Sequence, residues 1–242
     1  MGIIDFFKQL FQSGKTAASH KSYLSDADYP PKQAIRLIKT AEPHTSKFGG
    51  KPNLPVSIPW PETPEGYEMD FIAQIHFPEI PDGFDLPANG TLFVFFDCDT
   101  HPFGFDEEDS KYWKIIYTDE PLPEIPRERI SQPETPLNHS EPPFLFQEVF
   151  LTFEKFISRT SDAERIGDGQ GLHQMFGYPL YIQDPDMAAG YELLLQIDTD
   201  GGENGPEEGF TWGDCGRLFF WIKPIDLAAG RFDDLKLVLE CY

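Results

Sequence analysis

Phe71-Ile72-Ala73-Gln74-Ile75, followed by Gly90-Thr91-Leu92-Phe93-Val94-Phe95-Phe96, decides the fold, because both stretches return later in the chain. Their counterparts are Leu193-Leu194-Leu195-Gln196-Ile197 and Gly216-Arg217-Leu218-Phe219-Phe220-Trp221-Ile222. All four runs have strand length and strand composition and are bounded by turn residues. A Gly-x-Pro turn precedes each set: Phe48-Gly49-Gly50-Lys51-Pro52 in the first half, Met175-Phe176-Gly177-Tyr178-Pro179 in the second. A last apolar run closes each, Lys114–Tyr117 and Val238–Tyr242. Matching Gly50 with Gly177, Gln74 with Gln196, Thr91 with Arg217 and Tyr117 with Tyr242 gives offsets of 127, 122, 126 and 125 residues. Glycine before an aromatic strand is ordinary in β proteins, but the shared Gln and the shared Gly-x-Pro are not. The pattern predicts a duplication, too short to be a solenoid, with a groove between its halves as a natural ligand site.

Outward from these strands, the expected fold class is α+β and β-rich: two similar, mostly antiparallel sheet units with a few peripheral helices. Further strands are predicted at Phe146–Phe153 and Leu235–Cys241. An N-terminal helical segment spans 1–43, with one helix at Ile3–Phe11. A second runs from about Asp26 to Thr40, its first turn holding Pro30 and Pro31 and its stripe formed by Ala34, Ile35, Leu37 and Ile38. The repeats fall at 44–120 and 145–242. Between them, 121–144 reads as an extended linker, since Asp119–Pro143 holds seven prolines. Gln74 and Gln196 sit inside apolar strands, so each amide is expected to tie down a neighbouring loop backbone.

Composition bounds the function. Forty-one acidic residues against nineteen basic give a formal charge of −22, which disfavours nucleic acid and anionic lipid. No run approaches the ~18–20 apolar residues that span a bilayer. A hydrophobic share of 40% with 22 Phe is too rich for a disordered acidic chain. Met1–Lys8 lacks the features of a signal peptide, and Cys98, Cys215 and Cys241 form no Cys-x-x-Cys pair, so a reducing cytoplasm is expected.

Candidate chemistry is sparse. Gly14-Lys15-Thr16 lacks the first glycine of a P-loop, Gln9 standing there. Asp97-Cys98-Asp99-Thr100-His101 with Glu108 imitates a calcium loop, but Pro102 occupies the place where an EF-hand needs Gly. A looser cation site on Asp97, Asp99, Asp106 and Glu108 competes with a solvated acidic loop, and the solvated loop is preferred. Asp198-Thr199-Asp200 is read as strand-end turn chemistry. Trp212-Gly213-Asp214-Cys215-Gly216 is the sharpest local signature: a tight turn with both glycines at positive φ, Asp214 capping backbone N–H groups and Trp212 covering it. Of the six histidines, His173, just ahead of the Gly177-x-Pro179 turn, is the one to test. Asp214, His173 and Asp198 are thus the catalytic candidates, Asp97 and Asp99 the metal candidates. No cofactor is expected.

Ser46-Lys47-Phe48-Gly49-Gly50-x-Pro52, Leu54-Pro55, Trp60-Pro61, Ile72–Ile75, Leu92–Phe96, Gly177-Tyr178-Pro179, Leu195–Asp198 and Trp212-Gly213-Asp214-x-Gly216 together resemble the YwqG-like family of bacterial proteins of unknown function. The resemblance covers roughly 30–242. It implies a duplicated α+β domain, no catalytic residues to carry over, and an association of some members, by genomic neighbourhood, with immunity against secreted toxins. Two functions follow. The first is a non-catalytic protein-binding module masking a basic partner such as a toxin domain, to which the negative charge would steer it. The alternative is an enzyme, small-ligand or divalent-cation binder using the groove between halves. The binding module is preferred, without nucleic acid or membrane.

Overall fold

Long-range pairing, more than local propensity, builds this fold. The computed structural model describes residues 29–128, 146–160, 172–183, 190–201 and 209–242. In these residues the strands are β1 Lys32–Thr40, β2 Lys47–Phe48, β3 Asp70–His76, β4 Thr91–Phe96 and β5 Trp113–Thr118. They continue with β6 Val149–Ser158, β7 Gln174–Phe176, β8 Glu192–Asp198, β9 Arg217–Ile222 and β10 Leu235–Glu240. All join one ten-stranded sheet in the order β10-β9-β8-β7-β1-β6-β2-β3-β4-β5, and every pairing is antiparallel. Helix is scarce among the described residues: α1 at Pro224–Ala228 and two 3₁₀ turns, Phe77–Glu79 and Glu107–Tyr112. None of it is long and apolar enough to cross a membrane.

The alternation of side chains along a strand decides where each apolar residue goes. Leu92, Val94 and Phe96 of β4 and Leu218, Phe220 and Ile222 of β9 enter one central core. The intervening Phe93 and Phe95 pack beneath the 54–69 loop with Leu54, Trp60 and Met69. Phe219 and Trp221 form a third cluster with Leu193 and Val238. The sheet curls so that its inner face meets itself: Trp113 of β5 lies 5.9 Å from Phe220 of β9, and Phe96 lies 5.5 Å from Trp212, both edge-on. These aromatic pairs between distant strands hold the two ends of the sheet over one core.

Two expectations are corrected. Residues 32–40 are a strand, not the end of an Asp26–Thr40 helix. Ile35 and Leu37 alternate into the core while β1 pairs along its whole length with β6 and at Ala34–Arg36 with β7. Partners more than a hundred residues away outweigh a local helical spacing. The described part is β-rich and antiparallel with few helices, as expected, but its strands form one continuous sheet through β1 and β6 instead of two. At the start of the 121–144 segment one residue is tied to the first half of the chain. Arg127 donates from its backbone N–H to Pro52 O at 2.8 Å and from its guanidinium to Ile58 O at 2.6 Å. The Ile3–Phe11 helix lies outside the described residues.

Candidate functional site

At the end of β8 the sequence Asp198-Thr199-Asp200 carries two acids whose side chains are both shielded from solvent. Asp198 accepts from Arg217 Nε of β9 at 2.7 Å and from the Leu172 N–H at 2.9 Å. The Arg217 guanidinium also donates to Leu180 O at 2.7 Å. Asp198 and Arg217 are 5% and 6% exposed, so the pair is shielded, and each partner makes a further hydrogen bond to backbone. Such satisfaction is what a buried ion pair requires. Thr199, between the two acids, holds the Trp212 turn: its hydroxyl donates to Gly216 O at 2.9 Å and accepts from the Trp212 N–H at 3.1 Å.

Asp200 and His173 form the centre of the site. His173 is 1% exposed, held just ahead of β7 with its ring edge-on to Phe48 at 4.7 Å. The Asp198 N–H donates to His173 Nδ1 at 3.1 Å, and Nε2 lies 2.7 Å from Asp200 Oδ2. A backbone N–H can only donate, so Nδ1 is the acceptor and Nε2 carries the proton it gives to Asp200. Asp200 Oδ1 accepts from the Phe210 N–H at 2.8 Å, and Oδ2 also receives the Lys39 ammonium of β1. Burial pushes the Asp200 carboxyl upward. The His173 bond and the Lys39 charge outweigh it, and the group is held below the ordinary aspartate value.

This arrangement settles what the cluster can do chemically. Both ring nitrogens of His173 are engaged, so the imidazole has no free lone pair with which to take a substrate proton. Asp198 and Asp200 have each carboxylate oxygen occupied by a donor. The site ties β1, β7, β8 and β9 together; of its members His173 and Asp198 are candidates from the sequence, Thr199 and Asp200 belong to the stretch expected to be a strand-end turn, and Lys39, Arg217 and Phe210 are not singled out by it. Cation-and-carboxylate pairings between residues so far apart in sequence leave no local signal.

The remaining candidates lie elsewhere. In the 212–216 turn Gly213 and Cys215 take positive φ, +53° and +55°, while Gly216 does not, and the Gly216 N–H closes it on Trp212 O at 2.6 Å. Asp214 is exposed. Its carbonyl, not its carboxylate, accepts from the Tyr242 N–H at 3.2 Å, which corrects the capping expectation. Asp97 accepts from the Thr100 hydroxyl and Asp99 is exposed. Asp109 orders this loop instead, accepting from the Gly104 and Phe105 N–H groups at 2.8 and 3.2 Å. Among the described residues no three acids, histidines or cysteines are grouped to hold a metal.

A family model described as a domain of unknown function, DUF1963, matches residues 46–241. The chain belongs to the DUF1963 family. A comparison with curated proteins found no match. The DUF1963 match takes in β2–β5 and β6–β10 together with His173, Asp198, Asp200 and the 212–216 turn; Lys39 and the rest of β1 precede it.

Proposed function

We propose that this DUF1963 chain is a cytoplasmic, non-catalytic protein-binding module of YwqG-like type. Its partner is a basic protein, such as a toxin domain that it neutralises as an immunity protein. The observation that carries this reading is the division of its carboxylates. Buried and half-buried ones serve the fold: Asp198 and Asp200 as above, the half-buried Glu79 on the Thr45 and Ser46 N–H groups, and Glu240 on those of Ile182 and Gln183. Exposed ones face solvent, among them Asp99, Asp106, Glu107 and Glu108 on the loop that carries Phe105, itself 57% exposed. An aromatic anchor amid acidic residues suits a cationic protein surface, which the net charge of −22 would attract from a distance. Cys98, Cys215 and Cys241 are all free thiols, in keeping with a reducing compartment.

We further propose that 44–120, together with β1 before it, and 145–242 are copies of one unit, each lending its leading strand, β1 or β6, to the other. Several matched details support this. The β3–β4 ladder shifts register between Phe71 and Ala73, and the β8–β9 ladder between Leu193 and Leu195, the same bulge 122 residues later. Gln74 bonds the Asn53 N–H and Thr45 O, while Gln196 bonds the Leu180 N–H and Leu172 O. Arg36 of β1 stands opposite Gln174, and Phe150 of β6 opposite Lys47. Thr118 and Glu240 pair with Thr91 and Arg217, so the last strands correspond at an offset of 122 rather than at Tyr117 and Tyr242.

The test is affinity capture from the source cells by the tagged protein at low salt, then titration of the captured protein with wild type and Phe105→Ala. The expected partner is basic, is released as ionic strength rises, and binds Phe105→Ala at least about tenfold more weakly. An acidic partner, or one held equally at high salt, would contradict the reading.

A further inference from the structure

Antiparallel pairing brings the start of β1, the end of β7 and the start of β8 to the same end of the sheet, where the loop after β3 closes over them. A cavity of about 180 Å³ lies there. Its polar lining is Lys32 and Gln33 from β1, Asp85 from the loop and Glu192 from β8. One wall is aromatic, with Phe84 and Phe176 stacked at 5.1 Å and 12° between planes. The halves expected to form a groove therefore both contribute to it.

These polar groups differ from those of the buried network. Asp198, Asp200, Glu79 and Glu240 each bond to described groups, whereas the side chains of the exposed Lys32, Gln33 and Asp85 and of the half-buried Glu192 line the cavity mouth without a hydrogen bond or ion pair to a described residue. The Lys32 ammonium lies over the Tyr178 ring, 4.6 Å from its centre. Glu192 is half-buried. Burial pushes its carboxyl up, Lys32 pulls it down and the charge of Asp85 pushes it up again, with a net rise. A carboxylate in that position gains from an incoming cation.

We propose that this cavity binds a free basic α-amino acid, with its two cationic groups on Asp85 and Glu192 and its carboxylate on Lys32. The charges match in sign and number, two negative and one positive on the protein against two positive and one negative on the ligand. The aliphatic stem lies along the apolar wall made by the stacked Phe84 and Phe176. The volume admits one amino acid and excludes a folded partner, so this site is independent of the protein-binding reading and stands or falls apart from it.

Calorimetric titration of the full chain with L-arginine, L-lysine and agmatine tests the assignment, agmatine being arginine without its carboxylate. L-Arginine or L-lysine is expected to bind with a dissociation constant below about 1 mM, and agmatine about tenfold more weakly. Glu192→Gln is expected to weaken arginine by about tenfold or more, and Lys32→Met to abolish the preference for arginine over agmatine. Both positions are at least partly solvent-accessible, and an unchanged melting temperature shows the variants folded. No binding of either amino acid at millimolar concentration, agmatine binding as tightly as arginine, or an affinity unchanged by Glu192→Gln overturns the proposal.

Discussion

Replacing Gln196 with Leu isolates what its buried amide contributes. The side chain is fully buried, its Oε1 accepts from the Leu180 N–H at 3.0 Å and its Nε2 donates to Leu172 O at 2.6 Å. Leucine fills similar space but leaves one N–H and one C=O without those partners. Each orphaned group costs about 1–3 kcal/mol, and the extra apolar surface returns about 1 kcal/mol, so the net loss is about 1–5 kcal/mol. Gln74→Leu orphans the Asn53 N–H and Thr45 O and should cost the same within about 1 kcal/mol, given equal loop backbone bonding. Urea unfolding followed by tryptophan fluorescence measures both, with the slope against denaturant checked for constancy. A loss below about 1 kcal/mol for either variant would refute the reasoning, since water would then be satisfying the loops.

Acid stability should report Asp200. Its folded carboxyl is held below the ordinary value, so its contribution is complete above that value and is lost as pH falls through the depressed one. Urea midpoints between about pH 2 and 6 should fall more steeply for wild type than for Asp200→Asn; parallel curves would count against the pairing. Gly104 has φ of +82°, and a Cβ there would sit on the Leu237 carbonyl oxygen, so Gly104→Ala should lower stability by about 2 kcal/mol or more, read from the same midpoints. Asp214→Asn and Asp214→Ala should both lie within about 0.5 kcal/mol of wild type, because the turn uses the carbonyl of that residue. A large loss for Ala alone would restore the capping role.

What was legible in the sequence was whatever a short window contains. The aromatic runs at Thr91–Phe96 and Arg217–Ile222 are buried along their whole lengths and stood out as strands. Gln74 and Gln196, conspicuous as amides in apolar surroundings, do tie down loop backbone. β1 reads as a helix in sequence because Ala34, Ile35, Leu37 and Ile38 fit a helical stripe, and only pairing with β6 shows them as a strand. β2 and β7, two and three residues long, carry no periodicity. Lys39 and Arg217 gave no sign of their acids, because those contacts exist only once the strands are side by side. The cavity lined by Lys32, Asp85 and Glu192 was hidden for the same reason: its residues come from strand ends and a loop remote in sequence.

His173 tests most directly the central claim that the buried polar groups serve the architecture and not catalysis. Nitrogen NMR of the labelled protein near neutral pH reads the state of both ring nitrogens. The geometry predicts a proton on Nε2, slow to exchange with solvent and bonded to Asp200, and an unprotonated Nδ1 accepting from the Asp198 N–H. A proton on Nδ1, or an Nε2 proton exchanging as fast as that of an exposed imidazole, would contradict the account and make His173 available for proton transfer.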